Sequence, residues 1–406
     1  MSIKRLSGWR KLPVSLSELS IDTTLRCGQS FRWRKMSNEW ICTLHGRILC
    51  LKQDAEHLHY KAIWPKQETN HPSTSSLSSG MDRALYDDTE DLIRQYFSLD
   101  LNLGHLYEQW SEADSNFHKK ALEFTGIRIL SQDAWEALIC FICSSNNNIS
   151  RISQMVHKLC NHYGLLIGHI DGVPLHDFPT AKALTDDGVE SHLRELGFGY
   201  RAKYIAHTAR VVALEKPTGW LDSLRNPLRP GPRVSRQDST ATDPTYKEAH
   251  EALLSLAGVG PKVADCVCLM GLGWGESVPV DTHVWQIAQR DYKFGKSKTR
   301  TFNKAMYDAV GDHFRKIWGD YAGWAHSVVF TADLREFSGR KAKAEAVVPG
   351  EVKTEVMEDL GFHGPPKRKS AAQALLRINT KVEDVEGSNL VHMTASYKRR
   401  RIRTRS

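Results

Sequence analysis

Residues 256–266 read LAGVGPKVADC, a glycine-rich break in a helical pattern. Its glycines, Gly258 and Gly260, stand with Val259 between two apolar segments that have helical periodicity. Glycine adopts backbone angles closed to other residues, so successive N–H groups can point outward from such a turn. Pro261 suits the first position of a helix because it has no N–H to leave unpaired. The pattern predicts a helix, a turn and a second helix whose positive end suits a phosphate oxygen. The alternative is an ordinary tight turn between packed helices.

Lys262 follows in the first turn of the second helix. The positive end of the helix and partial burial both disfavour an ammonium, which favours a free amine able to attack carbon. The alternative is a fixed cation that binds phosphate.

Asp281 stands nineteen residues further on, in VPVDTHVWQIAQRD, just before another amphipathic helix. Taken alone it is an N-cap, worth about 1 kcal/mol. Beside a nucleophilic lysine, however, a carboxylate stabilises the positive charge that develops on a sugar as its base departs. Taken together, Lys262 and Asp281 favour a glycosyl-transfer site.

Composition narrows the class of protein. In 406 residues, Lys and Arg outnumber Asp and Glu by 55 to 47, a formal net charge of +8 that is compatible with nucleic-acid binding. No apolar run approaches the ~18 residues of a membrane span, and we expect no membrane association.

Cys140 and Cys143 form a C-x-x-C inside a helical pattern, with no second pair. Core thiols are therefore favoured over a zinc or redox site, and we expect no metal and no cofactor.

The chain divides into regions of different pattern. Residues 9–64 show the partial alternation of strands, with a turn at His45-Gly46, and the pattern then becomes helical from about Asp91 to Phe337. We expect an α+β protein with an N-terminal antiparallel β-sheet domain over residues 1–90, which ends in a mobile loop at 65–90. An all-helical region follows over 91–337 and contains a disordered Pro/Arg-rich insertion at 226–244. The remaining residues, 338–406, form a disordered basic tail.

Five segments resemble, in order and spacing, the eukaryotic 8-oxoguanine DNA glycosylase/lyase family of the helix-hairpin-helix superfamily. They are GQSFRW (28–33), SSNNNISRI (144–152), GFGYRAKY (197–204), LAGVGPKVADCVCLM (256–270) and VPVDTHVWQIAQRDY (278–292). The resemblance extends over residues 9–337. It implies a TBP-like N-terminal domain followed by helix-hairpin-helix glycosylase domains. It also implies a bifunctional enzyme of base excision repair, which removes 8-oxoguanine and related oxidised purines such as formamidopyrimidines from double-stranded DNA, preferably opposite cytosine.

The resemblance also implies roles for individual residues. Lys262 would attack C1′ of the damaged nucleotide and form a Schiff base that permits β-elimination, while Asp281 would stabilise the sugar cation. The DNA-binding positions are Asn146, Arg151, Tyr200, Arg201, Gly258, Val259, Gly260 and His283, of which Asn146, Arg151 and Arg201 would serve the orphaned cytosine and Tyr200 would wedge into the duplex. The base pocket would consist of Gly28, Cys266, Met270, His326 and Phe330.

The residues themselves leave some of these roles open. Phe330 and Cys266 fall on apolar helical patterns and would otherwise be assigned to the core, and His283 would be a solvated surface histidine. Gly28 would otherwise be a glycine in a turn that enters a strand. Oxidation at C8 places a hydrogen on N7 of guanine, however, and a glycine allows a backbone carbonyl close enough to accept it.

One position departs from the family pattern. The family usually carries glutamine where WAHSVVF places His326. A neutral imidazole has one donor and one acceptor and cannot reproduce the amide's pattern. We therefore expect an altered base preference, with formamidopyrimidines handled comparatively well.

Other classes fit the sequence less well. Glycosylases with an iron–sulfur cluster after the catalytic aspartate are excluded, because no cysteine follows Cys268. A monofunctional alkyl-base glycosylase would generally lack Lys262, and a non-catalytic DNA clamp would not need Asp281.

Further expectations concern the state and location of the protein. We expect a monomer. The tail carries PPKRK at 365–369 and KRRRIRTR at 398–405, which favour nuclear import over a solvated tail or added DNA affinity. A minor mitochondrial fraction stays open.

Overall fold

The N-terminal strands form a single antiparallel sheet in the computed structural model, which describes residues 7–65, 87–229, 243–295 and 303–338. The strands are β1 (Arg10–Pro13), β2 (Arg34–Met36), β3 (Glu39–Leu44), β4 (Arg47–Gln53) and β5 (His57–Ile63), in the spatial order β1-β5-β4-β3-β2. Strands β3 and β4 are joined at His45 and Gly46, whose φ angles are +47° and +72°. Two residues with positive φ give a turn whose twist matches the strands on either side. The predicted hairpin is confirmed.

Helices make up most of the remaining described chain. They are α1 (Ile21–Thr24), α2 (Thr89–Tyr96), α3 (Leu103–Ala113), α4 (Ser115–Ala121), α5 (Ala134–Ser144), α6 (Ile149–Tyr163), α7 (Val189–Glu195), α8 (Arg201–Arg210), α9 (Trp220–Ser223), α10 (Tyr246–Leu254), α11 (Pro261–Met270), α12 (Thr282–Asp291), α13 (Lys304–Trp318) and α14 (Ala322–Asp333). Side chains cap many of them: Asp133 accepts an N–H at the start of α5, and Asn148 does so at the start of α6. The α+β class, with the sheet first and the helices after it, is confirmed.

The region after residue 90 is not helical throughout, which corrects the expectation of an all-helical segment. Strands β6 (Leu166–Ile170) and β7 (Val173–His176) form a second hairpin. Its turn is Asp171-Gly172, with φ angles of +49° and +78°. An Asp-Gly pair between apolar residues is a strong hairpin signal, so the sequence did contain the information.

This second hairpin covers the outer face of the five-stranded sheet. Ile167 and Leu175 from the hairpin pack with Ile41, Ile48 and Cys50 from strands β3 and β4. The opposite face packs in a separate cluster that includes Leu49 and Tyr60 from the sheet and Phe97 from the end of α2. Both faces of the sheet are therefore buried by later parts of the chain.

A buried ion pair fixes the GQSFRW segment to helix α5. Arg32 donates through Nε and Nη2 to the two carboxylate oxygens of Glu136, both at 2.9 Å. Burial raises the pKa of Glu136, and the Arg32 guanidinium opposes that shift. Removing one member of a buried pair leaves an uncompensated charge, at a cost of about 3–5 kcal/mol. The pair therefore holds the segment that contains Gly28 in place.

Several expectations lie largely outside the described residues. Most of the 65–90 loop does, although its last two residues, Thr89 and Glu90, already belong to α2. Most of the 226–244 insertion and nearly all of the 338–406 tail lie outside as well. The proposed domain boundaries stay predictions, since all the described residues fall within one compact unit, Met1–Val348.

Two further expectations concern the state of the cysteine thiols and the presence of membrane-spanning helices. All eight cysteines are buried free thiols, as expected for Cys140 and Cys143. Among the described helices, none has both the length and the hydropathy needed to cross a bilayer.

Candidate active site and nucleic-acid interface

Helices α10 and α11 form the predicted hairpin. Gly258 has φ = +79°, and a Cβ there would lie 2.6 Å from Cγ of Tyr204 on α8. Gly260 is extended, and a Cβ there would meet nothing within 4 Å. Gly258 is thus required both by backbone angle and by the close approach of an aromatic ring, whereas Gly260 leaves the start of α11 open.

Lys262 is the second residue of α11 and reaches toward α5. Its Nζ donates to Oγ of Ser144 at 3.2 Å and lies 5.1 Å from the centroid of the Phe141 ring. The side chain is half-buried. The amine is therefore held at the end of α5, where the SSNNN segment begins.

Asp281 is the N-cap of α12, with Oδ1 accepting from the backbone N–H of Val284 at 3.0 Å. The cap uses one carboxylate oxygen. The capping role raised by the sequence is therefore real, and it fixes the carboxylate at the end of a helix.

Lys262 and Asp281 both shift the pKa values of the same two buried side chains, Cys266 and His326. Burial raises the pKa of the Cys266 thiol to about 11; Lys262 opposes that shift and Asp281 adds to it. Burial lowers the pKa of His326 to about 4, where Asp281 opposes the shift and Lys262 adds to it. The two opposite charges therefore both influence the same buried neighbours.

Aromatic rings complete this group. His326 and Phe330, one turn apart on α14, have ring centroids 6.1 Å apart, and the His283 ring centroid lies 6.3 Å from that of Phe330. His326 is 7% exposed, and its Nε2 has no hydrogen-bond partner among the described residues. The structure thus brings together six of the predicted residues, in a group that we call the lysine–aspartate cluster: Lys262, Cys266, Asp281, His283, His326 and Phe330.

The SSNNN segment forms the turn between α5 and α6, here called the asparagine turn (Ser144–Asn148). Arg201 donates through Nη2 to the backbone carbonyls of Ser145 and Asn146, the latter at 3.2 Å. The Tyr200 hydroxyl also donates to the Ser145 carbonyl, at 3.1 Å. Tyr200 is 49% exposed and Arg201 only 4% exposed. Arg201 is therefore packed beneath the turn, while Tyr200 projects from the surface.

Three predicted residues have looser connections to the cluster. Gly28, with φ = +85°, faces Ile149, and its neighbour Gln29 donates to Oγ of Ser327 beside His326 at 3.4 Å. Met270 is buried at the far end of α11, where its carbonyl accepts from the Gln132 N–H. Arg151 is exposed on the first turn of α6. Their proposed roles stay predictions.

A buried carboxylate on α11 was missed by sequence reasoning. Asp265 accepts hydrogen bonds from the hydroxyls of Tyr246, Tyr307 and Ser277, and His250 lies 3.5 Å from it. Burial raises the pKa of Asp265, and His250 opposes that shift. The signal was a lone acidic residue inside the apolar run VADCVCLM. Such a residue must find partners when buried.

The two cavities described here lie away from the lysine–aspartate cluster. One cavity of about 490 Å³ is lined partly by Trp274, Tyr321 and Trp324, and one of about 210 Å³ adjoins Arg32 and Glu136. Neither is lined by Lys262 or Asp281. In the part of the chain that the structure describes, no group of three or more His, Cys, Asp or Glu side chains is placed to hold a metal ion.

Family models cover most of the chain. The N-terminal domain of 8-oxoguanine DNA glycosylase matches residues 11–138, and the HhH-GPD superfamily of base excision DNA repair proteins matches residues 139–308. The N-glycosylase/DNA lyase of Saccharomyces cerevisiae is 40% identical over 347 residues, covering 81% of this chain and 87% of the relative. The chain belongs to the 8-oxoguanine DNA glycosylase family.

Other relatives agree with this family assignment. The N-glycosylase/DNA lyase OGG1 of Arabidopsis thaliana is 35% identical over 332 residues, with 80% of each chain covered. The apo 8-oxoguanine glycosylase/lyase of Clostridium acetobutylicum shares the fold, with a TM-score of 0.62 at 24% identity, over 82% of this chain and 98% of that one. The family expected from the sequence is confirmed, and so is the enzyme class, a DNA glycosylase with lyase activity.

The hairpin glycines give a matched pair of variants. Gly258→Ala should lower the free energy of unfolding by about 2 kcal/mol or more, because the residue has positive φ and its new methyl group overlaps Tyr204. Gly260→Ala should change it by less than about 1 kcal/mol, since the backbone is extended and the space is open. Urea unfolding of both variants measures the difference, and equal losses would contradict this account of the turn.

Proposed function

We propose that this protein removes 8-oxoguanine from double-stranded DNA, preferably opposite cytosine, and then cuts the strand, acting as a monomer in base excision repair. One observation carries the proposal: Lys262 and Asp281 contribute with opposite signs to the pKa values of the same buried pair, Cys266 and His326, in a cluster whose aromatic ring centroids are 6.1 and 6.3 Å apart. An amine and a carboxylate held together beside a hairpin that can bind phosphate supply the groups required for glycosyl transfer through an imine.

The proposed reaction begins at Lys262. After losing a proton, its nitrogen attacks C1′, and the bond from C1′ to the base breaks with the electron pair leaving on the base, which is then protonated. Asp281 stabilises the positive charge that develops on the sugar during this step. Opening of the sugar ring gives a Schiff base between Nζ and C1′. Removal of a proton from C2′ then expels the 3′ phosphate by β-elimination and cuts the strand.

DNA binding is assigned to the surfaces beside this cluster. The N–H groups of Gly258 and Gly260 would face a backbone phosphate, since the Val259 N–H already donates to the Leu256 carbonyl at 3.2 Å. His283 is exposed in the first turn of α12 and would contact a phosphate as well. Tyr200, which is 49% exposed, would fill the space left by an extruded base. Asn146, Arg151 and Arg201 would read the orphaned cytosine, whose O2 and N3 accept hydrogen bonds from such donors.

Removal of the amine tests this proposal directly. In Lys262→Gln, excision of 8-oxoguanine and trapping by borohydride should both disappear, while binding of the lesion duplex should survive. Asp281→Asn should slow excision about 10²-fold or more, because the amide lacks the negative charge that the sugar cation needs. Excision is measured from duplexes with 8-oxoguanine opposite each of the four bases. Activity in Lys262→Gln, or equal wild-type rates opposite all four bases, would contradict the proposal.

His326 is proposed to widen the range of bases to formamidopyrimidines. With its pKa lowered to about 4 by burial, the imidazole is neutral at pH 7 and offers one donor and one acceptor. Its Nε2, which has no partner among the described residues, is the atom left for a base. A single contact tolerates more shapes of the purine edge than the two contacts of an amide.

Replacement of this histidine should shift the base preference. His326→Gln should raise the rate of excision of 8-oxoguanine relative to formamidopyrimidine about tenfold, the value of one hydrogen bond of about 1.4 kcal/mol. The control is His313→Gln, since His313 is a histidine outside the cluster whose Nε2 also lacks a partner in the described residues. Single-turnover rates on both lesions give the ratio, and an unchanged ratio in His326→Gln would remove the histidine from base selection.

A nuclear location is proposed from the basic tail, with a minor mitochondrial fraction left open. Deletion of residues 398–405, which removes KRRRIRTR, should shift a fluorescent fusion toward the cytoplasm. An equally long deletion of residues 385–392 is the control. Full nuclear accumulation after the first deletion would contradict this assignment.

A further inference from the structure

We infer that Ser144 couples the reading of the opposite base to the placement of the lysine nucleophile, an inference that rests on the function proposed above. Ser144 is the last residue of α5 and the first of the asparagine turn. It is the one hydroxyl to which Lys262 is hydrogen-bonded in the described structure.

The Ser144 hydroxyl is oriented to receive the amine. Its Oγ donates to the backbone carbonyl of Phe141 at 2.7 Å, so its proton is already used within α5. The oxygen can therefore act only as an acceptor toward Lys262 Nζ, at 3.2 Å. The Phe141 ring, whose centroid is 5.1 Å from the same nitrogen, makes a cation–π contact with it. Moving the start of the turn would move the site that holds the amine.

Arg201, assigned to the opposite base, and Tyr200, assigned to the wedge, hold the adjacent residues of this turn. Arg201 and the Tyr200 hydroxyl both donate to the carbonyl of Ser145, next in sequence to Ser144. Arg201 also donates to the carbonyl of Asn146, which has φ = +48°. An asparagine in the left-handed region costs of order 1 kcal/mol, so this conformation depends on its contacts.

The asparagine turn therefore has two sets of partners only one residue apart. Arg201 and Tyr200 engage it through Ser145, and Lys262 engages it through Ser144. When an orphaned cytosine draws Asn146 and Arg201 into one arrangement, the backbone of the turn is set, and Ser144 places Nζ accordingly. With another base the turn takes a different arrangement, and the amine is misplaced. Two ligand contacts that bias one short element are linked in free energy.

Ser144→Ala tests this coupling. The single-turnover excision rate opposite cytosine should fall about tenfold or more, the loss of one hydrogen bond to a charged group, while the rate opposite adenine should stay almost unchanged. The preference for cytosine therefore falls by the same factor. Ser144→Thr retains the hydroxyl and should restore the preference. Affinity for the lesion duplex should change little, because Ser144 acts on the lysine and not on the DNA.

Two further variants separate this role from a purely structural one. Ser144→Cys keeps the volume but offers a weaker acceptor, and it should behave like Ser144→Ala even if the alanine variant is unstable. Ser153→Ala, on α6 beyond the turn, is the matched control and should retain the wild-type preference.

The outcomes discriminate clearly. Equal losses opposite all bases, or an unchanged preference in both Ser144→Ala and Ser144→Cys, would overturn the coupling. Two other results would instead overturn the proposed function itself. They are excision of 8-oxoguanine by the wild-type enzyme without borohydride trapping of the enzyme on DNA, and excision by the Lys262→Gln variant.

Discussion

The site depends on the buried carboxylate of Asp265. Three hydroxyls donate to it, from Tyr246 at the start of α10, from Tyr307 on α13 and from Ser277 in the loop that leads to α12. A buried carboxylate without partners would be costly, so these segments are held together around it. The helix that carries Lys262 and the loop that delivers Asp281 are thereby fixed to one point. The geometry of the two charges follows from a residue that takes no part in the proposed chemistry.

Features that arise from local sequence could be predicted. Alternating apolar residues indicated strands β3 to β5, and His45-Gly46 indicated the turn between two of them. Helical periodicity, with Gly258 and Pro261 at the break, indicated the hairpin of α10 and α11. These patterns express backbone preferences and burial of one face, which a short stretch of sequence contains in full. The family resemblance then brought together residues from distant segments, and six of them do meet in the lysine–aspartate cluster.

Features that arise from contacts between distant segments could not be predicted in the same way. Arg201 opens α8 in the sequence, yet its side chain is buried: the carbonyls of Ser145 and Asn146 accept from its Nη2, while its Nε has no partner among the described residues. Asp265 looked like an interruption of an apolar helix until its hydroxyl partners were seen. For the hairpin of β6 and β7, the Asp171-Gly172 turn is a local signal, but the burial of Ile167 and Leu175 against the outer face of the sheet is not. Each case needs knowledge of which segments adjoin.

The way β6 and β7 cover the sheet has a consequence for synthesis of the protein. On the ribosome, strands β1 to β5 emerge roughly a hundred residues before Leu166. Ile41, Ile48 and Cys50 have no apolar cover until the hairpin has been translated, which takes on the order of 5–20 s at cellular rates. During that interval the nascent strands expose an apolar face to solvent. Transiently exposed apolar surface is prone to aggregation, so chaperone cover before the hairpin has emerged would favour the yield of folded protein.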